Sequence, residues 1–421
     1  MRRTVIIGGG AAGMTAAIVA ADEGDAVTLL EHTDTLGKKI LSTGNGRCNL
    51  TNRRQGAEFY HSENPGFFLQ ALKRFGFEET LRFFKKLGLF FKERDGYVYP
   101  RSLQAGAVRE ALLAALLERG VEVRTGCEVT EIQVTKTQMA KAGKKELRET
   151  RRFLVRTAET SFAADALILC CGGMAAPFTG SDGSGYGLAK ALGHHLIPPV
   201  PALTGLVVPA NPLKKAAGVR TDGTISLYTG EDGKRKLSGR DTGELQVTDY
   251  GVSGIPAFQV SRHASRALSE GTRVFAALNF LPEYGEREAE KLIFRLFSEE
   301  GDCLRILGGL FPEKLAAVLL RRAGISLHAP AGCPEKRSIQ RLLELTCRFP
   351  LEIQAVGDFT KAQVTAGGVD TRFVRANTME SKLVSGLYFA GEILDVDGVC
   401  GGYNLQWAWA SGFLAGKQGR P

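Results

Sequence analysis

Apolar and polar residues along this chain alternate between two periods, and the first change of period comes at once. Thr4-Val5-Ile6-Ile7 is a short β-branched run that predicts a buried parallel strand. The stretch from Met14 to Ala21 reads as a helix, and Ala26 to Leu30 as a second strand. Ala166-Leu167-Ile168-Leu169-Cys170-Cys171 is apolar without interruption, as in a central parallel strand covered on both faces. Helical spacing recurs over Pro65–Leu87, where Phe68, Leu72, Phe75, Phe83, Phe84 and Leu87 form one face, and over Leu103–Glu118. Gly96 to Ser102 reads as a short strand and turn, and Val121–Val123, Cys127–Val134 and Phe153–Thr157 as strands. The charged stretch Lys136–Arg152 reads as an exposed hairpin tip. From Thr204 to Ala276 short strands alternate with Gly/Asp turns, predicting a β-rich domain. Helices are expected over Glu283–Phe297, Pro312–Arg322 and Ser338–Leu345, then a strand from Gly386 ending at Gly391-Glu392 and a helix from Gly401 through Leu414.

The joint between the first strand and helix carries the chemistry. Gly8, Gly10 and Gly13 make G-x-G-x-x-G: a tight turn, a backbone open to a pyrophosphate, and close helix–strand packing. The free N–H groups of the helix start, with Ala11 and Ala12 in the first turn, then face the phosphates. Glu31 ends the second strand, where this fold places an acid for an adenosine ribose hydroxyl. A secretory signal is rejected for this stretch, because the glycines interrupt its apolar run.

The glycine-bearing loop from Gly37 to Asn52 follows. Lys38, Lys39 and Arg47 are candidates for the pyrophosphate, Gly44 for close backbone approach, and Cys48 for a proton donor as well as a cofactor contact. Val129, Gly172 and Gly173 join the cofactor set at strand ends. Near the C-terminus, Gly391-Glu392 and then Gly402-Tyr403-Asn404-Leu405-Gln406 repeat the logic of the N-terminus: strand end, acid, glycines, helix start. Their expected target is the ribityl chain and pyrimidine edge of a flavin, with the helix start stabilising negative charge on the ring. One good nucleotide fingerprint with both chain ends converging on it favours tightly held FAD over exchangeable NAD.

Composition adds less. The chain has 421 residues, enough for two or three domains. A rigid Pro198-Pro199-Val200-Pro201 boundary suggests a division into 1–195, an insertion at 196–354, and 355–421. The formal charge is +9, with about +3 of it in the insertion, so the insertion is not a dedicated polybasic domain. Eight scattered cysteines without C-x-x-C or metal-ligand spacing argue for reduced thiols and no metal site. No long uncharged apolar run marks a membrane span, and the expected location is the cytoplasm.

The stretches Gly8–Met14, Gly44–Asn52, Gly96–Ser102, Thr365–Val369 and Gly386–Gly412 together resemble the flavoprotein family labelled BaiN/YhiN-like or aminoacetone-oxidase-like, which includes ribosomal RNA dihydrouridine synthases of the RdsA type. The resemblance spans the chain. It implies an α/β, Rossmann-like FAD-binding domain interrupted by a β-barrel-like domain and a small helical subdomain, with FAD contacts at Gly8, Gly10, Gly13, Glu31, Arg47, Glu392 and Asn404. The favoured activity is reduction of a uridine in large-subunit ribosomal RNA by hydride transfer from flavin N5. Cys48 is the first candidate for the acid, with Tyr97 and Tyr403 as alternatives, and NAD(P)H the expected transient electron donor. Flavin-dependent oxidation of small amines, and non-catalytic redox sensing on RNA or ribosomes, are the competing readings.

Overall fold

The computed structural model describes residues 1–140 and 147–420. The tip of the hairpin expected at Lys136–Arg152 lies outside the described residues. The chain divides into two compact units, one of Met1–Pro199 with Val364–Pro421, the other of Val200–Gln363. The sequence-based boundaries at 196 and 354 lie about four and nine residues before these, and Ala355–Val356 still pairs into the second unit's sheet.

The first unit is built on a five-stranded parallel sheet. Its order is Leu387–Phe389, Ala166–Leu169, Arg3–Ile7, Ala26–Leu30 and Glu122–Arg124. Val5, Ile6, Leu167 and Ile168 are buried at its centre, as their uninterrupted apolar runs predict. The first helix, Ala11–Asp22, packs on the C-terminal helix, Tyr403–Lys417. That contact depends on missing side chains, since a Cβ at Gly412 would lie 2.5 Å from Ala12 O. The two ends of the chain are thus locked around one crossing, and both helix starts belong to one domain.

A small antiparallel sheet of Thr51–Asn52, Tyr97–Pro100 and Phe91–Arg94 belongs to the same unit. The expected helix at Pro65–Leu87 is two helices, Pro65–Arg74 and Phe77–Lys86. The break falls at Phe75-Gly76, where the Gly76 N–H donates to the Glu79 carboxylate at 3.0 Å and starts the second helix with a capping-box contact. The apolar spacing carries across the break, so period alone did not reveal it. The next helix begins at Ala105 rather than Leu103, whose φ of 57° is left-handed.

The second unit holds a seven-stranded antiparallel sheet whose edge strands are Phe349–Ile353 and Ala355–Val356. Only Gln354 separates them, so the sheet must curl until its edges meet, which gives the barrel-like form. The helix Ile255–Ser269 packs against six of the seven strands. This helix corrects the reading of Thr204–Ala276 as strands alone. Its start is set by Gly254 at φ 97° and Pro256 in the first turn, a start signal buried among strand-like turn residues. Helices Glu286–Leu296, Cys303–Gly308, Glu313–Arg322 and Lys336–Cys347 form the helical part around Ile293, Leu307, Leu319 and Leu342. No helix among the described residues is long and apolar enough to cross a membrane.

Candidate active site

The glycine turn behaves as its spacing requires, but each glycine has its own reason. Gly8 sits at φ 104°, and a Cβ there would lie 2.4 Å from Cys170 O on the neighbouring strand. A Cβ at Gly13 would lie 1.8 Å from Gly8 O. Both are demanded by the fold. Gly10 is different: its φ is −79°, open to any residue, and a Cβ there would meet nothing within 4 Å. No side chain caps the first helix either. An open backbone at an uncapped helix start is an anion cradle. Glu31 is buried beside it, accepting the Gly9 N–H at 2.7 Å and the Thr33 N–H at 2.8 Å, so its carboxylate fixes the turn.

A second cluster joins distant parts of the unit. Lys39 Nζ donates to Glu392 Oε2 at 2.7 Å and to Ala175 O at 3.0 Å. Glu392 Oε1 accepts the Thr365 N–H at 2.9 Å, and Thr365 Oγ1 accepts the N–H groups of Met174 and Ala175. Lys39, expected within reach of a pyrophosphate, is tied into this cluster. Its charge is committed to Glu392, which retains lone pairs for a ribityl hydroxyl. Lys38 pairs with Asp34 at 2.6 Å on the surface, and Asp34 is held below the usual carboxylate range by that contact. Thr365 is not among the candidates read from the sequence, since a lone threonine in a strand gives no signal. Gly173 is required here, because a Cβ would lie 2.4 Å from Thr365 Oγ1. Gly391 at φ 81° brings the strand end against Ala12, its N–H donating to Ser411 Oγ and its carbonyl accepting from Trp407 Nε1.

The start of the C-terminal helix overturns several expectations. Gln406 is fully buried and occupied: its Oε1 accepts from Thr51 at 2.6 Å and Thr80 at 3.0 Å, and its Nε2 donates to Phe75 O. It is a core crosslink, not a cofactor contact. The Asn404 amide closes on Gly398, accepting its N–H and donating to its carbonyl. These two bonds use one N–H and one lone pair of the amide and fix its orientation at the helix start. Leu405 and Val129 are half-buried apolar residues packed on the core. Cys48 is corrected as proton donor. It is fully buried in the core cluster at φ 55°, and burial pushes its thiol up to about 12. A substrate at the surface cannot reach it.

Tyr97 and Tyr403 remain as candidate hydroxyls, of which Tyr97 reaches the surface and Tyr403 is itself buried in the core cluster. A Cβ at Gly401 would lie 3.1 Å from the Tyr403 ring and 3.2 Å from the Tyr97 ring, so the two rings flank that glycine. Asn52 Nδ2 donates to Gly401 O at 3.1 Å and holds the turn between them. Tyr403 stacks on Phe59 at 4.6 Å, while Tyr97 is 38% exposed. Burial pushes the Tyr403 phenol up to about 12, with Tyr97 nearby raising it further and Arg54 pulling it back. Arg47 is exposed and has no carboxylate partner among the described residues. Gly44 at φ 56° shapes the turn that carries it, and Gly172 at φ 73° faces Ser181. Among the described residues no cluster suits a metal ion.

The sequence matches the HI0933-like protein Rossmann domain over residues 2–418. The chain belongs to this FAD-binding Rossmann family. It is 45% identical to the 3-dehydro-bile acid delta(4,6)-reductase of Clostridium scindens, over 99% of this chain and 98% of that protein. It is 28% identical to the ribosomal RNA dihydrouridine synthase of Haemophilus influenzae, over 97% of this chain and 96% of the relative. The corresponding Escherichia coli protein is 27% identical, over 98% and 96%. The protein is an FAD-dependent oxidoreductase. The open Gly10 backbone at an uncapped helix fits the pyrophosphate of that cofactor, and the buried acid Glu31 stands at the strand end where its adenosine half is held.

Proposed function

We propose that this chain reduces a carbon–carbon double bond conjugated to a carbonyl, with a uracil ring in ribosomal RNA as the first-choice substrate and NAD(P)H as electron donor. FAD, when bound, supplies the hydride. The chain's part is to hold the cofactor with the Gly8–Gly13 turn, Glu31 and the Lys39–Glu392–Thr365 cluster, to orient the substrate, and to deliver one proton beside the carbonyl.

The observation that carries this reading is the pair of phenols flanking Gly401. Tyr403, with its phenol near 12, stays protonated throughout the physiological range. A phenol of this kind is a competent donor to a carbon that becomes basic during reduction, and a poor base for deprotonating an ammonium. This chemistry supports reduction over amine oxidation. Both classes of relative fit it, because uracil and a 3-oxo-Δ4,6 steroid each carry a C=C conjugated to a carbonyl. The +9 charge and the two synthase relatives support RNA. The 45% identity to the bile-acid enzyme supports a steroid enone as a second reading.

One experiment separates them. The FAD-loaded protein, reduced without oxygen, is offered either an unmodified large-subunit rRNA fragment or a 3-oxo-Δ4 bile acid, and mass spectrometry follows a gain of two hydrogens. Tyr403→Phe is expected to slow the productive reaction by about 10²–10⁴-fold. Reoxidation by neither compound, together with fast turnover of a small amine, overturns the proposal.

A further inference from the structure

We infer that the outer face of the small sheet Thr51–Asn52, Tyr97–Pro100 and Phe91–Arg94 is a docking platform for unpaired nucleotides, leading from the protein surface to Tyr97. The inference rests on the RNA reading above and adds the surface that would recognise it.

The register places the residues. Side chains alternate along a strand, and residues directly paired across strands share a face. Tyr97 pairs with Arg94 on one side and Asn52 on the other, and Tyr99 pairs with Lys92. Two tyrosines and two cations therefore lie on one face. The opposite face carries Val98 and Thr51, both buried, and anchors the sheet to the core. Lys92, Arg94 and Tyr97 are exposed, and Tyr99 is half-buried. Burial raises the Tyr99 phenol, Tyr97 adds to this, and Arg47 and Arg94 pull it back, as two guanidinium groups near one ring should.

The charge on this face is uncompensated. Lys92, Arg94, Arg47 and Arg54 lack an ion-pair partner among the described residues, whereas Glu93, on the other face, is taken by Arg53 at 2.6 Å. Asp95 and Glu58 are the remaining acids of these segments. Rings standing among unpaired cations on an open sheet suit an extended polyanion with planar groups: bases stack on the tyrosines while phosphates meet the cations. A bile acid would use the rings but bring only one carboxylate to several cations, and an acidic peptide would use the cations and leave the rings idle.

The test uses the full FAD-loaded chain and a fluorescent uridine oligonucleotide of about ten residues. Anisotropy should show binding that weakens steeply between about 50 and 200 mM salt. Tyr99→Ala should weaken it roughly tenfold at every salt concentration, through lost stacking. Lys92→Glu with Arg94→Glu should weaken it and flatten the log–log salt dependence by about two. Flavin content and melting temperature report that each variant folds. Absence of binding at low salt overturns the inference, as does full binding by the folded variants. Platform-dependent binding without any reduction of RNA would leave the platform standing and remove the reductase reading instead.

Discussion

Two glycine-rich helix starts stand in the same domain and look alike in sequence, yet they do opposite things. At Gly8–Gly13 the polar groups point outward: Gly10 borders open space and no side chain caps the helix. At Gly401–Gln406 they point inward. A Cβ at Gly402 would lie 2.9 Å from both Asn49 Oδ1 and the Thr51 backbone, and Asn404 and Gln406 spend their amides on Gly398, Thr51, Thr80 and Phe75. A glycine can exist for a ligand or for its own fold. Only the space around the missing Cβ distinguishes the two.

The largest effect should come from a glycine that serves the fold inside the ligand-facing turn. Gly13→Val would drive a side chain into Gly8 O and is expected to cost more than about 4 kcal/mol, abolishing soluble protein. Gly10→Leu sharpens the comparison. Its backbone conformation suits any residue and its Cβ meets no protein atom, so the apoprotein should melt within a few degrees of wild type. FAD affinity should nonetheless fall roughly 10²-fold, from an overpacking cost of about 3 kcal/mol against the cofactor. Flavin absorbance and a thermal melt read both quantities, and a yellow Gly10→Leu protein of full occupancy would remove the ligand role assigned to this glycine.

The second start yields a smaller effect of the other kind. Gln406→Leu leaves the Thr51 hydroxyl and the Phe75 carbonyl without their buried partner, at an expected cost of about 2–3 kcal/mol. Urea denaturation measures it. Flavin affinity of the folded fraction should change little. A Gln406→Leu protein with unchanged stability and lost flavin would return this residue to the cofactor set.

What the sequence revealed follows from how local each signal is. The Gly8–Gly13 turn and the Ala166–Leu169 strand are encoded by neighbours in sequence, and their period and spacing were readable. The break at Gly76 and the start of Ile255–Ser269 are set by near neighbours but masked, one by apolar spacing that runs across it and the other by strand-like turn residues around it. The fate of Gln406, by contrast, depends on residues far along the chain. Thr80 and Thr51 lie hundreds of positions from Gln406, so nothing beside Gln406 announces that its amide is already occupied. Thr365 and Lys39 were hidden for the same reason: their meaning lies in a contact with Glu392 across the domain.

Cys48 gives the finest test, because it precedes Asn49 in the loop that packs the second helix start. Its folded thiol lies near 12 and its unfolded value near 9, since burial penalises the thiolate. Between these values the folded state binds more protons than the unfolded state, so stability falls as pH rises. Below pH 9 the contribution is constant, and from there it is lost by about 1.4 kcal/mol per pH unit until the folded thiol itself titrates. Other buried thiols and phenols titrate in the same window, so the informative quantity is the difference between wild type and Cys48→Ala. Subtracting the two pH–stability curves from urea melts should leave a flat line up to about pH 9 and a slope of one proton above it. The native thiol should also resist alkylation at neutral pH, where an acid open to substrate would be modified in minutes. A flat difference curve through pH 10, with fast labelling of Cys48, would place it back at the surface as a reactive donor.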